Sequence, residues 1–163
     1  MRETPGDFDP SVRDALDRAK ALLGAGDVPG ALTVYRTTYD RAIGRDDHYH
    51  ASVVAHMAGV AEPEAAKKHR WNIDALREAD AVVDRASVKG FYASLYSNLA
   101  FSQLLLGELE DALRYQQRAI ECLADIEPGA YQDRVVSGAT SQLERIQAQI
   151  AERVRLPASR SAA

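Results

Sequence analysis

Tyr96–Ala119, YSNLAFSQLLLGELEDALRYQQRA, holds two amphipathic segments that meet at Leu106-Gly107-Glu108. Before the glycine, Leu95, Leu99 and Ala100 recur at helical spacing. After it, Leu109, Ala112, Leu113, Ala119 and Ile120 do the same. Gly107 can take the left-handed backbone that ends a helix at little cost, and Glu108 then starts the next helix near its positive pole. Ala112 and Ala119 are seven residues apart, two turns, so both small side chains share one face that a neighbouring helix can approach closely. The stretch predicts a helical hairpin built to stack on others like it.

Working outward, the same device recurs near the start of the chain. Asp9 reads as an N-cap with Pro10 in the first turn, and a stripe of Val12, Leu16, Ala19 and Leu23 follows. The turn Gly24-Ala25-Gly26-Asp27 leads into a segment from Val28 to about Ile43 that carries Ala31, Tyr35 and Ala42 inward. Gly26 precedes Ala31 by five residues, as Gly107 precedes Ala112. Gly44-Arg45-Asp46-Asp47 offers an aspartate cap for a third helix with Val53, Val54, Met57 and Val60 on its apolar face. Glu62-Pro63 is then expected to open a fourth helix with the proline in its first turn.

Aligning Ala66 with Ala31 and Ala112 gives spacings of 35 and 46 residues. The second unit therefore carries a surplus of about twelve residues, or three helical turns, within DALREADAVVDRASVKGF. Longer flanking helices are expected there, around a break near residues 87–90. Ile126-Glu127-Pro128-Gly129 is a stop signal, and a last helix from about Ala130 to Val154 places Val135, Ala139, Leu143, Ile146 and Ile150 on one stripe with polar residues opposite. Such a helix can solvate the end of a stacked array. No stretch alternates as a strand does. The expected fold is all-α: three hairpins and a capping helix in one domain over residues 9–155, with loose tails at 1–8 and 156–163.

The pattern of a bulky residue, Leu-small, Gly, Ala and Ala, filled here by Tyr96, Leu99-Ala100, Gly107, Ala112 and Ala119, resembles one tetratricopeptide repeat (TPR), whose period is about 34 residues. The resemblance extends over roughly residues 11–154 and is similar to compact bacterial TPR proteins with a long C-terminal helix. It is closest in the third hairpin. The second departs, with Ala61 where the turn glycine stands and the insertion after it. The resemblance implies a right-handed α-solenoid that binds a protein or peptide segment along the concave surface formed by the first helix of each hairpin. On that surface the register places His48, Ser52, Asn98, Phe101 and Tyr131, and the aromatic residues Trp71, Tyr92 and Tyr96 are added to the expected groove as a stacking wall and cavity lining. Asn98 falls where members that clamp a C-terminal carboxylate carry an asparagine. The accompanying basic places hold Ser94, Ser97 and Phe101, so that clamp is incomplete.

Composition narrows the function classes. The chain has 163 residues, 46% apolar and 27% charged, with a net charge of −4. That balance offers no basic footprint for nucleic acid or an anionic membrane. Cys122 is the only cysteine, which excludes an intrachain disulfide, and no apolar run approaches a membrane span; a cytoplasmic protein is expected. There is no phosphate loop and no nucleophile elbow.

All four histidines, His48, His50, His56 and His69, fall in the second unit. His48 and His50 point about 200° apart on a helix, so no single helix gathers three ligands. No metal or cofactor is expected, although His56 and His69 across one hairpin leave a two-histidine arrangement with an acidic neighbour open. His56 stands where the other hairpins have Ala21 and Ser102. It is either a core histidine with one nitrogen hydrogen-bonded or a general base beside a cavity. The second option makes it the candidate catalytic residue of a small-molecule binder or enzyme, with Trp71, Tyr96, Asn98 and Tyr131 around it, in a pocket between the second hairpin and the capping helix. The 74–90 extension is also the stretch through which two copies would pair.

Overall fold

The structure is a computed structural model and describes residues 8–155. The described residues form seven helices of thirteen residues or more, one single-turn helix and no strand. Helices α1 (Pro10–Gly24) and α2 (Val28–Ile43) make the first hairpin, and α3 (His48–Ala61) and α4 (Ala65–Ala81) the second. The short α5 (Arg85–Val88) and a 3-10 turn (Lys89–Phe91) lead into α6 (Tyr92–Leu106), which pairs with α7 (Leu109–Glu121). A 3-10 turn at Cys122–Asp125 precedes α8 (Ala130–Arg155). Each long helix packs on the one before and the one after it, and α1–α3, α3–α6 and α6–α8 also touch. The result is a stack of helical hairpins closed by one long helix, the all-α repeat-like architecture expected.

Local signals explain most of the boundaries. Asp9, Asp27 and Asp47 cap α1, α2 and α3, their carboxylates accepting from the N–H of Ser11 at 2.7 Å, Gly30 at 2.9 Å and His50 at 3.2 Å. Gly26 and Gly107 both take positive φ, +81° and +82°, at the two tight hairpin turns. On α8, Ala139 and Ile146 are buried and Val135, Leu143 and Ile150 half-buried, the stripe expected, while most of the other side faces water.

Three expectations are corrected. First, Ala66 is exposed and does not match Ala31 and Ala112, which are fully buried. Counting from the N-caps Asp27, Glu64 and Glu108, the fourth residue is Ala31, Lys68 and Ala112. Lys68 occupies the alanine's place, and the spacings are 37 and 44 residues. Second, Pro63 precedes α4 rather than starting it, because Glu62 and Glu64 are both extended and add a residue to the turn. Third, the surplus does not lengthen the helices to a break at 87–90. Helix α4 ends at Ala81, the chain is extended at Val82, and Asp84 caps a single helical turn. Val82 and Val88 are buried, so the insertion is fastened to the core by two valines. The expected tails lie outside the described residues except for Phe8, which packs edge-on against Tyr49 and His50. Packing against the array therefore begins before the first helix.

Candidate functional site

A cleft of about 300 Å³ opens where the end of α3 meets α4, α6 and α8. Gly59 and Val60 come from α3, Lys68 and Asn72 from α4, Asn98 and Phe101 from α6, and Gln142 from α8. Four helices from three parts of the array thus contribute, which only the stack can arrange.

Lys68 is the best-explained member. It is buried at a place where the other hairpins keep alanine, and its ammonium donates to the carbonyls of Gly59 at 2.6 Å and Val60 at 3.1 Å. These are orphan acceptors at the C-terminal end of α3, so the lysine caps that helix from its partner. Burial lowers its pKa, and Glu62 opposes that shift. The Phe101 ring lies 6.0 Å from the ammonium.

A chain of amides forms the back wall. Asn72 donates from Nδ2 to the Asn98 carbonyl at 2.9 Å. Asn98 in turn donates from Nδ2 to His56 Nδ1 at 3.1 Å, which makes His56 a neutral ring with its proton on Nε2. Desolvation brings the His56 pKa down to about 4, and Phe91 meets the ring edge-on at 4.9 Å. Gln142 donates from Nε2 to the Gln116 side-chain oxygen at 2.6 Å and to the Ser97 carbonyl at 2.7 Å. The side-chain oxygens of Asn98 and Gln142 take no hydrogen bond among the described residues and remain available to a ligand.

The expected site residues divide into groups. Asn98 and Phe101 line the cleft, and His56 stands directly behind Asn98. Ser52 is fully buried, its hydroxyl donating to the Ala75 carbonyl at 2.8 Å, so it ties α3 to α4 and cannot touch a partner. His48 turns to α4, its Nδ1 2.8 Å from the buried Glu78 carboxylate, which also accepts from Tyr39 and Arg77. Trp71 is buried against Tyr39 and Arg36 on another side of α4. Tyr92 bridges Asp80 and Arg85, Tyr96 stacks on Tyr115 at 6.4 Å, and Tyr131 shares a hydrogen bond of 2.8 Å with Ser94. Of the residues grouped around His56 in the enzyme reading, Asn98 is the one hydrogen-bonded to it among the described residues. His69 pairs with the Ser102 hydroxyl at 2.9 Å, and the described residues hold no group of three or more metal-ligating side chains.

Val60, Lys68, Asn72 and Gln142 were not anticipated. Lys68 carried one faint signal: it is one of only four lysines, in a chain whose basic residues are mostly arginine. The three others became visible only once α3, α4 and α8 were brought together. No helix among the described residues is long and apolar enough to cross a membrane. No protein-family model matches the sequence, and no curated protein matches it.

Proposed function

We propose that the protein is a non-enzymatic binding module of the TPR kind, which holds an extended peptide segment of a protein partner along the face formed by α6 and the end of α3. One observation carries this reading. Asn98, Phe101 and Leu105 follow each other at spacings of three and four along α6, one stripe offering an amide, a half-buried ring and an apolar side chain that is 49% exposed. Val60, 56% exposed, flanks the same cleft. An apolar side chain of the segment would enter beside Phe101 and Val60, and its main-chain N–H groups would donate to the Asn98 and Gln142 amide oxygens. The TPR comparison gains support from the two outer hairpins, where Ala19 and Ala31, like Ala100 and Ala112, are twelve residues apart and fully buried.

The enzyme alternative finds less support. A histidine held near pH 4 is a weak base at neutrality, and its Nδ1 is already occupied by Asn98. The test uses peptides selected from a random displayed library against the whole chain. Binding by those peptides should fall at least about tenfold on Val60→Glu or Phe101→Ala, with little change in melting temperature for the exposed Val60 site. Peptides that bind both variants as well as the parent, or a library that yields no binder, would exclude the groove reading. Val83 in the 74–90 extension is 98% exposed, so light scattering on the same samples reads whether two copies pair through it.

A further inference from the structure

A second, larger cleft of about 550 Å³ runs between α2 and α4. Helix α2 supplies Thr33, Arg36 and Thr37, spaced three and four residues apart. Helix α4 supplies Lys67, Arg70, Trp71 and Asp74 at spacings of three, four and seven. Two helical rows therefore face one another across a space of mixed polar and apolar surface, with Leu32 and Trp71 supplying apolar surface. We infer that this cleft binds the phosphate group of a small, hydroxyl-bearing phosphate monoester between Arg36 and Arg70.

The charges around the cleft point to this ligand. Lys67 is answered by Glu64 at 2.6 Å and Asp74 by Arg77 at 2.7 Å. Glu62 is buried and accepts from the Glu64 N–H at 3.0 Å. Arg36 and Arg70 take no carboxylate among the described residues, so even with Glu62 unpaired the lining keeps a net positive charge in a chain of net charge −4. Arg36 is already positioned: its guanidinium lies 3.9 Å from the Trp71 ring centroid. Stacking uses the face of the guanidinium and leaves the N–H groups on its edge free for a forked contact with an oxyanion. Two guanidinium groups bring two positive charges, which match the three oxygens and nearly two negative charges of a phosphate monoester better than the single charge of a carboxylate. Thr33 and Thr37 donate to the carbonyls of Pro29 and Thr33, both at 3.0 Å, so their oxygens still have lone pairs to accept from hydroxyls on the body of the ligand. The volume lies within the usual range for small-molecule sites.

Trp71 is the only tryptophan and lines this cleft, so its emission is a direct readout of the site. Inorganic phosphate and glycerol phosphate are titrated into the full chain, with heat and Trp71 emission as paired readouts and succinate as the carboxylate probe. Saturable binding in the millimolar range or tighter is expected for both phosphates. Arg36→Lys and Arg70→Gln should each weaken it at least about tenfold, while Arg145→Gln on α8 leaves it unchanged. No saturable signal, equal binding by Arg70→Gln, or succinate binding as tightly as glycerol phosphate overturns the inference. Should Arg36→Lys fail to fold by circular dichroism, Arg70→Gln, at an exposed position, decides the matter. Neither variant touches the Phe101 cleft, so the outcome is independent of the peptide-binding proposal.

Discussion

Gly59 lies so close to α4 that a Cβ there would be 2.3 Å from Asn72 Oδ1 and 3.4 Å from Trp71 Cβ. The Asn72 oxygen is buried and has no hydrogen-bond partner among the described residues, while its nitrogen is held by the Asn98 carbonyl. An alanine at 59 would gain about 1 kcal/mol of helix propensity, but overpacking costs about 1–3 kcal/mol. Gly59→Ala should therefore be destabilised in urea unfolding, and Gly59→Ala with Asn72→Ala should lose less than the two single changes together. Strict additivity would show that the contact is not the cause. His56 makes a second prediction at this scale. Its folded pKa of about 4 lies below the ordinary value of 6.5, so the neutral ring favours the fold. That contribution is fully present above pH 6.5 and is lost as the pH falls towards 4, because only the unfolded chain takes up the proton. Between pH 7 and pH 5 the loss is about 2 kcal/mol. Stability curves of His56→Gln and the parent should converge over that window; parallel curves would mean that His56 titrates normally in the fold. Burial raises the Glu78 carboxyl, but hydrogen bonds from His48 and Arg77 outweigh it and lower its pKa, so Glu78 also loses stabilisation in acid, in both proteins alike.

Among the elements, α3 and α4 depart furthest from the other hairpins, and Lys68 fastens their turn end while buried alanines, Val54 and Trp71 pack along their length. Its ammonium satisfies two carbonyls at the end of a helix that has no glycine C-cap. Lys68→Ala would restore the residue found in the outer hairpins yet orphan those acceptors and leave a void. It should cost about 2–3 kcal/mol, read as a lower melting temperature and faster amide exchange at the C-terminal end of α3. A variant as stable as the parent would mean that water replaces the cap without loss. Gln116 plays a comparable part between α7 and α8. It is fully buried, donates to the Ala139 carbonyl at 2.9 Å and accepts from Gln142 at 2.6 Å. Gln116→Leu keeps the volume but breaks both links, so α8 should show faster exchange than α7. Equal protection of the two helices would count against this fastening.

For the whole molecule, the core falls into two parts. The larger joins α1–α4 with Val82, Val88 and Leu95, and the smaller joins Ala100, Ala112 and Ile146 with half-buried Leu104, Leu113, Tyr115 and Ile150. The second part exists only while α8 is in place. Deleting residues 130–163 would bare this apolar face of α6 and α7 and strip Gln116 of its Ala139 and Gln142 partners, leaving only Ser97 at 3.4 Å. The truncated chain should lose more than about 3 kcal/mol or associate, as read by chemical unfolding and by light scattering. A monomer that melts at the parent's temperature would show that α8 does not seal the array.

The sequence by itself determined the helices, their order and most of their ends. Aspartate caps, prolines in first turns and the glycines at 26 and 107 act over four or five residues, and apolar stripes at helical spacing act within one element. The register of the second hairpin and the make-up of the cleft were decided by the tertiary structure. A lysine can stand for an alanine only because two carbonyls of a neighbouring helix receive its charge, and nothing within four residues of Lys68 records that. The same holds for Ser52, Trp71 and His48, whose directions follow from which helix packs beside them. Gln142, seventy residues beyond Asn72 in the chain, reaches the same cleft only through the stacking of α8 on α7.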